Sequence, residues 1–598
     1  MTPLAYQLSI ADITAHLVAV ELHFTPQNKE VITLSLPSWI PGSYMVRDFA
    51  KHLHSVEAFD DSGDLPLTQL DKQSWQLSHH QKQLTVRYKV YAFDLSVRGC
   101  YLDDQLAILN PAALCLEVKG MEASPINLTI QAPEFLDWQV ATGLSPARTT
   151  RPLQCGLYQA DNYQQLIDTP LMLGKLDIAE FDVCGVPHYL VLAGHEQVDL
   201  ERFKTELQRI CLQQQQVFAG LPADLTQYWF LCWVTDSGYG GLEHHNSTLL
   251  LLTHQDLPNP QRPDESTADY QNLLGLCSHE YFHTWWVKRA KPAQFLPYRL
   301  NTEQYTSQLW LYEGFTSYYD DLALVRCGVL TQEQYFAVLE KTINRVQLSP
   351  SEQVQSVAES SFNAWTKYYK QDENAVNAVV SYYTKGSLIA LCLDALLRSK
   401  GLTLDTLMQF AWKTYGEPAS GSTEQQFIQL CSDYAGKDIA SQLYSWVYGN
   451  TALPLAELLP HLGLSTALRQ QEHSKDLSGS KAPAYPARAF GAAFGASSEG
   501  LKITNVPLGS VAYKAGLMAQ DQLIAVNAVK ATEQNFWRQL NQSQIGSVLT
   551  LHLFRKQRLV QLSMAVELAP ATLTYLQLVD QKKTGQWLGV TPLHSQNN

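Results

Sequence analysis

The chain has 598 residues, which is more than one hydrophobic core normally holds, so several domains are expected. Its composition is that of a globular protein, with 45% hydrophobic and 17% charged residues. The formal net charge of -14 disfavours nucleic acid and anionic membrane surfaces as partners, because both attract basic proteins. A multidomain globular protein that binds neither is therefore the expectation.

The cysteines and the first residues of the chain bear on its compartment. The ten cysteines include no Cys-x-x-Cys pair, and most lie in apolar runs such as 113–116, which predicts reduced, buried thiols. Residues 1–6 lack the basic and apolar regions of a secretory signal, and no apolar run is long enough to span a bilayer. If the numbering begins at the true initiator, we expect a soluble cytoplasmic protein.

The first part of the chain has the alternation of β-strands. Residues 6–10, 16–22 and 84–90 alternate apolar and polar side chains, and turn-forming clusters separate such segments. This pattern predicts an all-β domain over residues 1–175.

The pattern then changes to strands followed by long helices. Residues 228–234 and 249–252 are predicted strands, and residues 388–397 are apolar on nearly all sides, which predicts a buried helix. We expect one domain over 176–350 and a helical domain over 351–470.

The C-terminal part returns to short strands. Residues 466–486 are small and polar and are interpreted as a linker or exposed loop. Residues 501–506, 522–526 and 548–553 are predicted strands of a small separate β domain.

One motif carries specific chemistry. His279, Glu280 and His283 form the pattern HExxH, and on a helix the two histidines lie on one face, where both can bind a single Zn²⁺. Glu280 is then placed to accept a proton from a zinc-activated water. Chance occurrence on a surface helix is the alternative, which the surrounding sequence has to decide.

A catalytic zinc ion needs a third protein ligand, and two glutamates follow the motif. Glu313 is preferred because its neighbours are apolar, and a buried carboxylate needs a metal or a charged partner. Glu303 has polar neighbours, and its alternative role is that of a carboxylate at a helix start. Both remain candidates on this reasoning.

The combination of HExxH with residues 310–315 (Trp-Leu-Tyr-Glu-Gly-Phe) resembles the gluzincin aminopeptidases. The longer spacing, together with residues 39–49 (Trp-Ile-Pro-Gly-Ser-Tyr-Met-Val-Arg-Asp-Phe), is similar to the glycyl aminopeptidase family of PDZ-bearing zinc metallopeptidases. The resemblance covers nearly the whole chain. It implies a thermolysin-like catalytic domain, one zinc ion per chain, and Glu313 as the third ligand.

The resemblance also implies a substrate-binding segment. Residues 240–244 (Gly-Gly-Leu-Glu-His) are similar to the G-x-M-E-N segment of these enzymes, although Leu242 and His244 depart from it. By this correspondence Glu243 binds the free ammonium group of the substrate, and Gly240 and Gly241 let its backbone approach. The alternative is a glycine-rich hairpin turn.

Residues 382–386 (Tyr-Tyr-Thr-Lys-Gly) are similar to the Y-E-K-G segment of the same enzymes. The resemblance implies that the hydroxyl of Tyr383 stabilises the oxyanion of the transition state. Tyr382 is the neighbouring alternative, and either tyrosine can instead be a core aromatic residue.

Residues 485–570 resemble a PDZ domain, which can bind a peptide C-terminus by adding it to a sheet edge. The carboxylate-binding loop would lie near residues 489–491, and a purely structural role is the alternative.

The predicted fold class is thus multidomain α+β, with an N-terminal β domain, a thermolysin-like domain, a helical region, a PDZ-like domain and a C-terminal tail over 571–598.

The expected function is zinc-dependent cleavage of the first peptide bond of peptides with a free N-terminus. A preference for Gly and Ala is implied by the resemblance alone. A zinc endopeptidase with PDZ-assisted substrate selection is the alternative function, and a non-catalytic PDZ scaffold is the third hypothesis. The sequence does not indicate an oligomeric state.

Overall fold

The protein is described from a computed structural model, which covers residues 4–26, 31–78, 82–133, 136–195, 197–495 and 497–589. The chain divides into two compact units. The first holds the chain up to Tyr305 together with Met408–Thr423, and the second holds Thr306–Leu407 and the chain from Glu424 onward. Residues 590–598 of the predicted C-terminal tail lie outside the described residues.

The first part of the first unit is built from β-strands with two short helices. The strands are β1 (Leu4–Asp12), β2 (Leu17–Phe24), β3 (Val31–Ser35), β4 (Leu53–Asp60), β5 (Gly63–Leu65), β6 (Leu67–Gln69), β7 (Ser74–Ser78), β8 (Leu84–Tyr91), β9 (Tyr101–Leu102), β10 (Leu106–Leu109), β11 (Glu117–Val118), β12 (Ile126–Gln131), β13 (Gln139–Thr142), β14 (Ser145–Pro146), β15 (Gly156–Ala160) and β16 (Leu171–Gly174). The helices are α1 (Pro111–Leu114) and α2 (Tyr163–Ile167).

These strands form three sheets around one apolar core. The largest has the order β14-β15-β12-β1-β2-β8-β4-β5, and the two four-stranded sheets have the orders β13-β16-β10-β9 and β11-β3-β7-β6. Every second residue of β2 is buried, as a sheet with one solvent-facing side requires. The predicted all-β character of the N-terminal region, including its three named strands, is confirmed.

A five-stranded sheet completes the first unit. Its strands are β17 (Asp177–Val183), β18 (Val186–Ala193), β19 (Tyr228–Thr235), β20 (Gly240–Glu243) and β21 (Ser247–Thr253), in the order β17-β18-β19-β21-β20. The central strands run parallel, and seven of the eight residues of β19 are buried, because both faces of the sheet are covered. The helices are α3 (Leu200–Val217) and α4 (Ala268–Phe282).

The second unit begins with helices. They are α5 (Leu309–Arg326), α6 (Gln332–Gln347), α7 (Val357–Phe362), α8 (Ala375–Ala378), α9 (Thr384–Ser399), α10 (Leu404–Ala411, at the boundary of the unit), α11 (Glu424–Ala435), α12 (Lys437–Tyr448) and α13 (Leu455–Leu458). Helix α9 contains the apolar segment 388–397, which is buried except at Leu396, so the predicted buried helix is confirmed.

The C-terminal part of the second unit holds two further sheets. Strand β22 (Leu464–Gln470) pairs with the last strand, β29 (Ala571–Leu578). The other sheet consists of β23 (Ala493–Gly495), β24 (Leu501–Asn505), β25 (Gln522–Val526), β26 (Val529–Lys530), β27 (Val548–Arg555) and β28 (Arg558–Ala565). The helices are α14 (Val511–Lys514), α15 (Glu533–Gln542) and α16 (Gln581–Leu588).

The architecture is therefore mixed α+β, with an N-terminal β region, a helical middle and C-terminal β sheets, as predicted. Strand β22 includes the first residues of the segment interpreted as a linker, because its backbone pairs with residues about a hundred positions later. Among the described residues, no helix combines the length and the apolar character that crossing a bilayer requires.

Candidate active site

The HExxH motif lies at the C-terminal end of α4. The side chain of Thr267 caps the start of this helix by accepting a hydrogen bond from the Tyr270 backbone over 3.1 Å. Tyr281 and Phe282, in the middle of the motif, are fully buried and fix the helix against the core. The opposite face carries His279, Glu280 and His283.

The two histidines are neighbours on this face. Their ring centroids are 4.7 Å apart, as the four-residue spacing on a helix predicts. Nδ1 of His283 lies 2.9 Å from the backbone oxygen of Trp286. A carbonyl oxygen can only accept, so Nδ1 carries the proton and Nε2 presents its lone pair. His283 is thus held in the tautomer that a metal ligand needs.

Glu280 is buried, and its carboxylate occupies the space beside Gly241 on β20. A Cβ atom added at Gly241 would lie 2.2 Å from Oε1 of Glu280, so no larger residue fits without displacing the carboxylate. The sequence suggested that this glycine admits a substrate backbone. In the structure the carboxylate of Glu280 is the group nearest to this position.

Glu243, at the end of β20, is also buried and meets the N-terminal β region. A Cβ atom at Gly42 would lie 2.5 Å from both carboxylate oxygens of Glu243. Besides this lack of space for a side chain, Gly42 has a φ of 91°, a backbone conformation that favours glycine. Oε1 of Glu243 is buried and accepts no hydrogen bond within the part of the chain that the structure describes.

These side chains form a cluster. Glu243, Glu280 and His283 each offer a ligand atom, and the three atoms lie within 4.8 Å of one another. Two buried carboxylates at this distance repel each other unless a cation lies between them. The cluster is therefore suited to a metal ion or to the ammonium group of a ligand.

The backbone around Glu243 is held by charged side chains. Nζ of Lys288 lies 2.8 Å from Oδ1 of Asp168 and 3.4 Å from the carbonyl oxygen of Glu243. His244 contacts the same carboxylate of Asp168 over 3.2 Å. Burial opposes ionisation of Asp168, but Lys288 and His244 outweigh it and hold its pKa well below the usual range. The anionic Asp168 therefore fixes His244 directly and the carbonyl group of Glu243 through Lys288.

Gly240 has φ of 151° and lies near a side chain from the N-terminal region. Nη1 of Arg98 would lie 3.7 Å from a Cβ atom at Gly240, and Nη2 of Arg98 donates to the carbonyl oxygen of Gly241 over 3.2 Å. The contributions of Gly42, Arg98 and Lys288 to this site were not predicted. Gly42 belongs to the quoted segment 39–49, which was a usable signal, but nothing in the local sequence marks Arg98.

Glu313 and Tyr383 belong to the second unit. Glu313 lies on α5 and is 2% exposed, and its neighbour Gly314 packs directly on Gly386 of α9. A Cβ atom at Gly314 would lie 2.5 Å from the Cα of Gly386, so the glycines of the two motifs let the two helices touch. Burial and the carboxylate of Glu313 raise the pKa of Tyr383 well above its ordinary value, which keeps its hydroxyl protonated.

The alternatives that the sequence left open differ in burial. Glu303 is exposed and lies outside the helices, whereas Glu313 is buried. Tyr382 is fully buried, with its ring 4.6 Å from that of Tyr368, whereas Tyr383 is half-buried.

The chain is similar to known proteins in sequence and in structure. The sequence model described as the peptidase M61 N-terminal domain matches residues 5–175, and that of the M61 glycyl aminopeptidase matches residues 272–389. The crystal structure of an aminopeptidase N family protein from Idiomarina loihiensis is 41% identical, covers 98% of this chain and 100% of its own, and superposes with a TM-score of 0.94. No curated protein matches.

More distant structures are also similar. An M1 zinc metallopeptidase from Deinococcus radiodurans is 15% identical, with 76% of this chain and 94% of that chain covered and a TM-score of 0.49. Aminopeptidase A of Legionella pneumophila, in complex with aspartic acid, is 13% identical, with 75% and 49% covered and a TM-score of 0.47.

Proposed function

Because the chain belongs to the M61 glycyl aminopeptidase family and is a metallopeptidase, we propose that it uses one zinc ion to release the N-terminal residue of peptides. The observation that carries the proposal is the cluster of Glu243, Glu280 and His283 within 4.8 Å. The carboxylate of Glu280 accepts the proton of the attacking water, and that of Glu243 binds the substrate ammonium group.

His279, His283 and Glu313 are the proposed ligands of the zinc ion. The protonated Nδ1 of His283 and the burial of Glu313 fit this role, since a ligand imidazole must present a lone pair and a buried carboxylate needs a cation. When bound, zinc lowers the pKa of a water molecule to about 7 and polarises the scissile carbonyl group.

The remaining steps belong to residues of the chain. Glu280 accepts the proton of the attacking water and returns it to the leaving amine, and the space left by Gly241 keeps its carboxylate in place. Tyr383 donates a hydrogen bond to the developing oxyanion, which requires the protonated hydroxyl that its raised pKa ensures. Complete burial of Tyr382 favours Tyr383 over its neighbour.

Glu243 is the proposed anchor for the substrate ammonium group. Its buried Oε1 has no partner among the described residues and can accept the ammonium hydrogen bond, while Lys288 and Asp168 fix its backbone. Gly240 and Gly241 line the strand along which the substrate backbone lies. A preference for N-terminal Gly or Ala belongs to the same proposal and is supported by the family resemblance.

The proposal is tested with two substrates that differ only at the amine. We expect the zinc-loaded protein to hydrolyse L-alanine 4-nitroanilide and to leave the N-acetylated compound nearly untouched. A chelator should abolish the activity and added zinc should restore it. Equal rates on both compounds would replace the aminopeptidase with the endopeptidase alternative.

The third ligand is tested by zinc content. Glu313→Gln should bind zinc at least about tenfold more weakly, because a neutral amide is a poorer ligand than a carboxylate. Glu303→Gln is the matched control and should keep both zinc and activity. The opposite pattern would assign the site to Glu303.

We also propose that residues 485–570 form a PDZ-like domain. The other proposed domains have the bounds predicted from the sequence, 1–175, 176–350 and 351–470, with a C-terminal tail over 571–598. The sheet with β23 at its edge, the helices α14 and α15, and one shared apolar core support the PDZ-like domain. A cavity of about 570 Å³ adjoins the loop around Gly491 and is large enough for a peptide C-terminus. Binding is tested by titration with peptides that have a free C-terminal carboxylate and with the same peptides amidated at the C-terminus. Equal affinity for both would leave a structural role for the domain.

A cytoplasmic location is the last part of the proposal. Burial raises the pKa of several thiols, for example that of Cys100 to about 12, which suits cysteines that stay reduced. Fractionation of cells that produce the protein tests this, and recovery outside the cytoplasm would contradict it.

A further inference from the structure

A cavity of about 610 Å³ lies in the first unit, beside the proposed ammonium anchor. This volume is typical of sites for small molecules. Its lining includes Lys288, Lys291, Pro41, Tyr298 and Leu300. None of the proposed catalytic or zinc-binding residues lines it, whereas Asp168 and Lys288, which hold the backbone at Glu243, do.

Lys291 is the unusual residue of this cavity. It is only 7% exposed, and among the residues that the structure describes its ammonium group forms no ion pair. Its Nζ lies 4.9 Å from the ring centroid of Tyr298, a contact that only partly replaces water around a buried charge. Burial lowers the pKa of Lys291 to about 8, with further contributions from Lys288 and Arg289, and the carboxylates of Asp168 and Glu243 only partly oppose this shift. A buried ammonium group without a counterion is a receptor for an anion.

The surrounding charges limit the anion to one negative charge. Lys288 is already paired with Asp168 at 2.8 Å and is not available as a second full positive charge. Four basic and three acidic side chains line the cavity, so the lining carries one net positive charge. A phosphate dianion would be repelled by Asp168, whereas a carboxylate matches the charge.

Part of the lining is apolar, and the segments that carry it are firmly held. Ser38 donates its backbone N–H to the carbonyl oxygen of Leu300 over 2.8 Å, and the indole N–H of Trp39 donates to the carbonyl oxygens of Arg299 and Thr302. These bonds join the segment before Pro41 to the segment that carries Tyr298. The cavity is thus preformed and offers apolar surface near the ammonium group.

We propose that this cavity binds a small organic monocarboxylate, with the carboxylate on Lys291 and an apolar body against Tyr298 and the proline wall. Lys288 also donates to the carbonyl oxygen of Glu243, and Pro41 precedes Gly42, which contacts the Glu243 carboxylate. A bound ligand therefore touches both supports of the ammonium anchor, and it changes the KM of peptide substrates.

The test is binding of N-acetyl-L-leucine to the zinc-loaded full chain, measured by calorimetry. Its blocked amine prevents binding to Glu243 as a substrate would bind, and N-acetyl-L-leucinamide is the neutral control. We expect binding of the acid alone, weakened roughly 10–100-fold in Lys291→Met, because a hydrogen bond to a charged group is lost. The matched control, Lys119→Met, removes an exposed lysine of the same cavity and should leave the affinity unchanged.

A second measurement needs no variant. N-acetyl-L-leucine should protect the amine of Lys291 from acetic anhydride, as read by mass spectrometry of the peptide that contains it. Unchanged affinity in Lys291→Met together with unprotected Lys291 would place the ligand elsewhere, for example on the zinc ion, and overturn the proposal. Binding of inorganic phosphate in preference to the acid would overturn the ligand class. These outcomes do not depend on aminopeptidase activity, so they are independent of the proposed function.

Discussion

Two glycines of the first unit leave room for side chains. Two glycines of the second unit instead leave room for the backbone of a neighbouring helix. Gly42 and Gly241 leave space for the carboxylates of Glu243 and Glu280, whereas Gly314 and Gly386 bring two helices into direct contact. A carboxylate can rotate away from an added methyl group, but a helix backbone cannot. Substitutions at the two kinds of glycine should therefore affect different properties, activity in the first unit and stability in the second.

The largest effect is expected at the carboxylate itself. Glu280→Gln removes the proposed proton acceptor while keeping its shape, so kcat should fall by about 10²–10⁴-fold. Zinc content, measured by atomic absorption, should stay that of the unaltered protein, because Glu280 is not a proposed ligand. Full activity in this variant would exclude Glu280 as the base.

The next effect tests the glycine beside that carboxylate. In Gly241→Ala the added Cβ displaces the Glu280 carboxylate, and we expect kcat/KM to fall by about 10²-fold, since small misplacements of a catalytic group are costly. The melting temperature should change little, because the carboxylate can rotate. Loss of folding with little loss of specific activity would contradict the expectation that substitutions of glycine in the first unit affect activity and not stability.

The matched substitution in the second unit is Gly314→Ala. Its Cβ would meet the backbone of Gly386, and such overpacking costs about 1–3 kcal/mol of unfolding free energy. Chemical denaturation of the two glycine variants side by side gives the comparison directly. A melting temperature equal to that of Gly241→Ala would contradict the account of the helix contact.

The smallest effect concerns Lys291, which has no ion-pair partner among the described residues. Burial lowers its pKa from 10.5 to about 8, Lys288 and Arg289 add repulsion, and Asp168 and Glu243 oppose the shift. Because the folded-state pKa is the lower one, the charge costs stability below about pH 8, and the cost disappears as the pH rises towards 10.5.

We therefore expect Lys291→Met to raise the free energy of unfolding by about 1–2 kcal/mol near pH 7. The gain should shrink near pH 10, where the folded protein already holds the lysine neutral. Urea denaturation at both pH values measures it. A gain that grows with pH would have the wrong sign for a buried, unpaired ammonium group.

The sequence predicted those features that lie within one helix or strand. The HExxH spacing, the apolar surroundings of Glu313 and the alternation of residues 6–10 all follow local periodicity, and the structure has the corresponding helices and strands. Contacts between distant segments could not be predicted in this way. Gly42 meets Glu243 across about two hundred residues, and Lys288 meets Asp168 across 120, and no periodicity links such positions.

The role of Gly241 shows the same limit. Its sequence context suggested a glycine that admits substrate. The structure adds that its nearest group is the carboxylate of Glu280, which comes from a helix about forty residues later. Only the packing of α4 against β20 reveals that neighbour.

The central claim is that Glu243 binds the free N-terminal amine of the substrate and thereby directs cleavage to the first peptide bond. It is tested by the ratio of kcat/KM for L-alanine 4-nitroanilide to that for its N-acetylated form, in the unaltered protein and in Glu243→Gln. We predict a ratio of at least about 10² in the unaltered protein, falling by roughly 10–100-fold in Glu243→Gln and unchanged in the exposed control Glu303→Gln. A ratio near one in the unaltered protein, or an unchanged ratio in Glu243→Gln, would contradict the account.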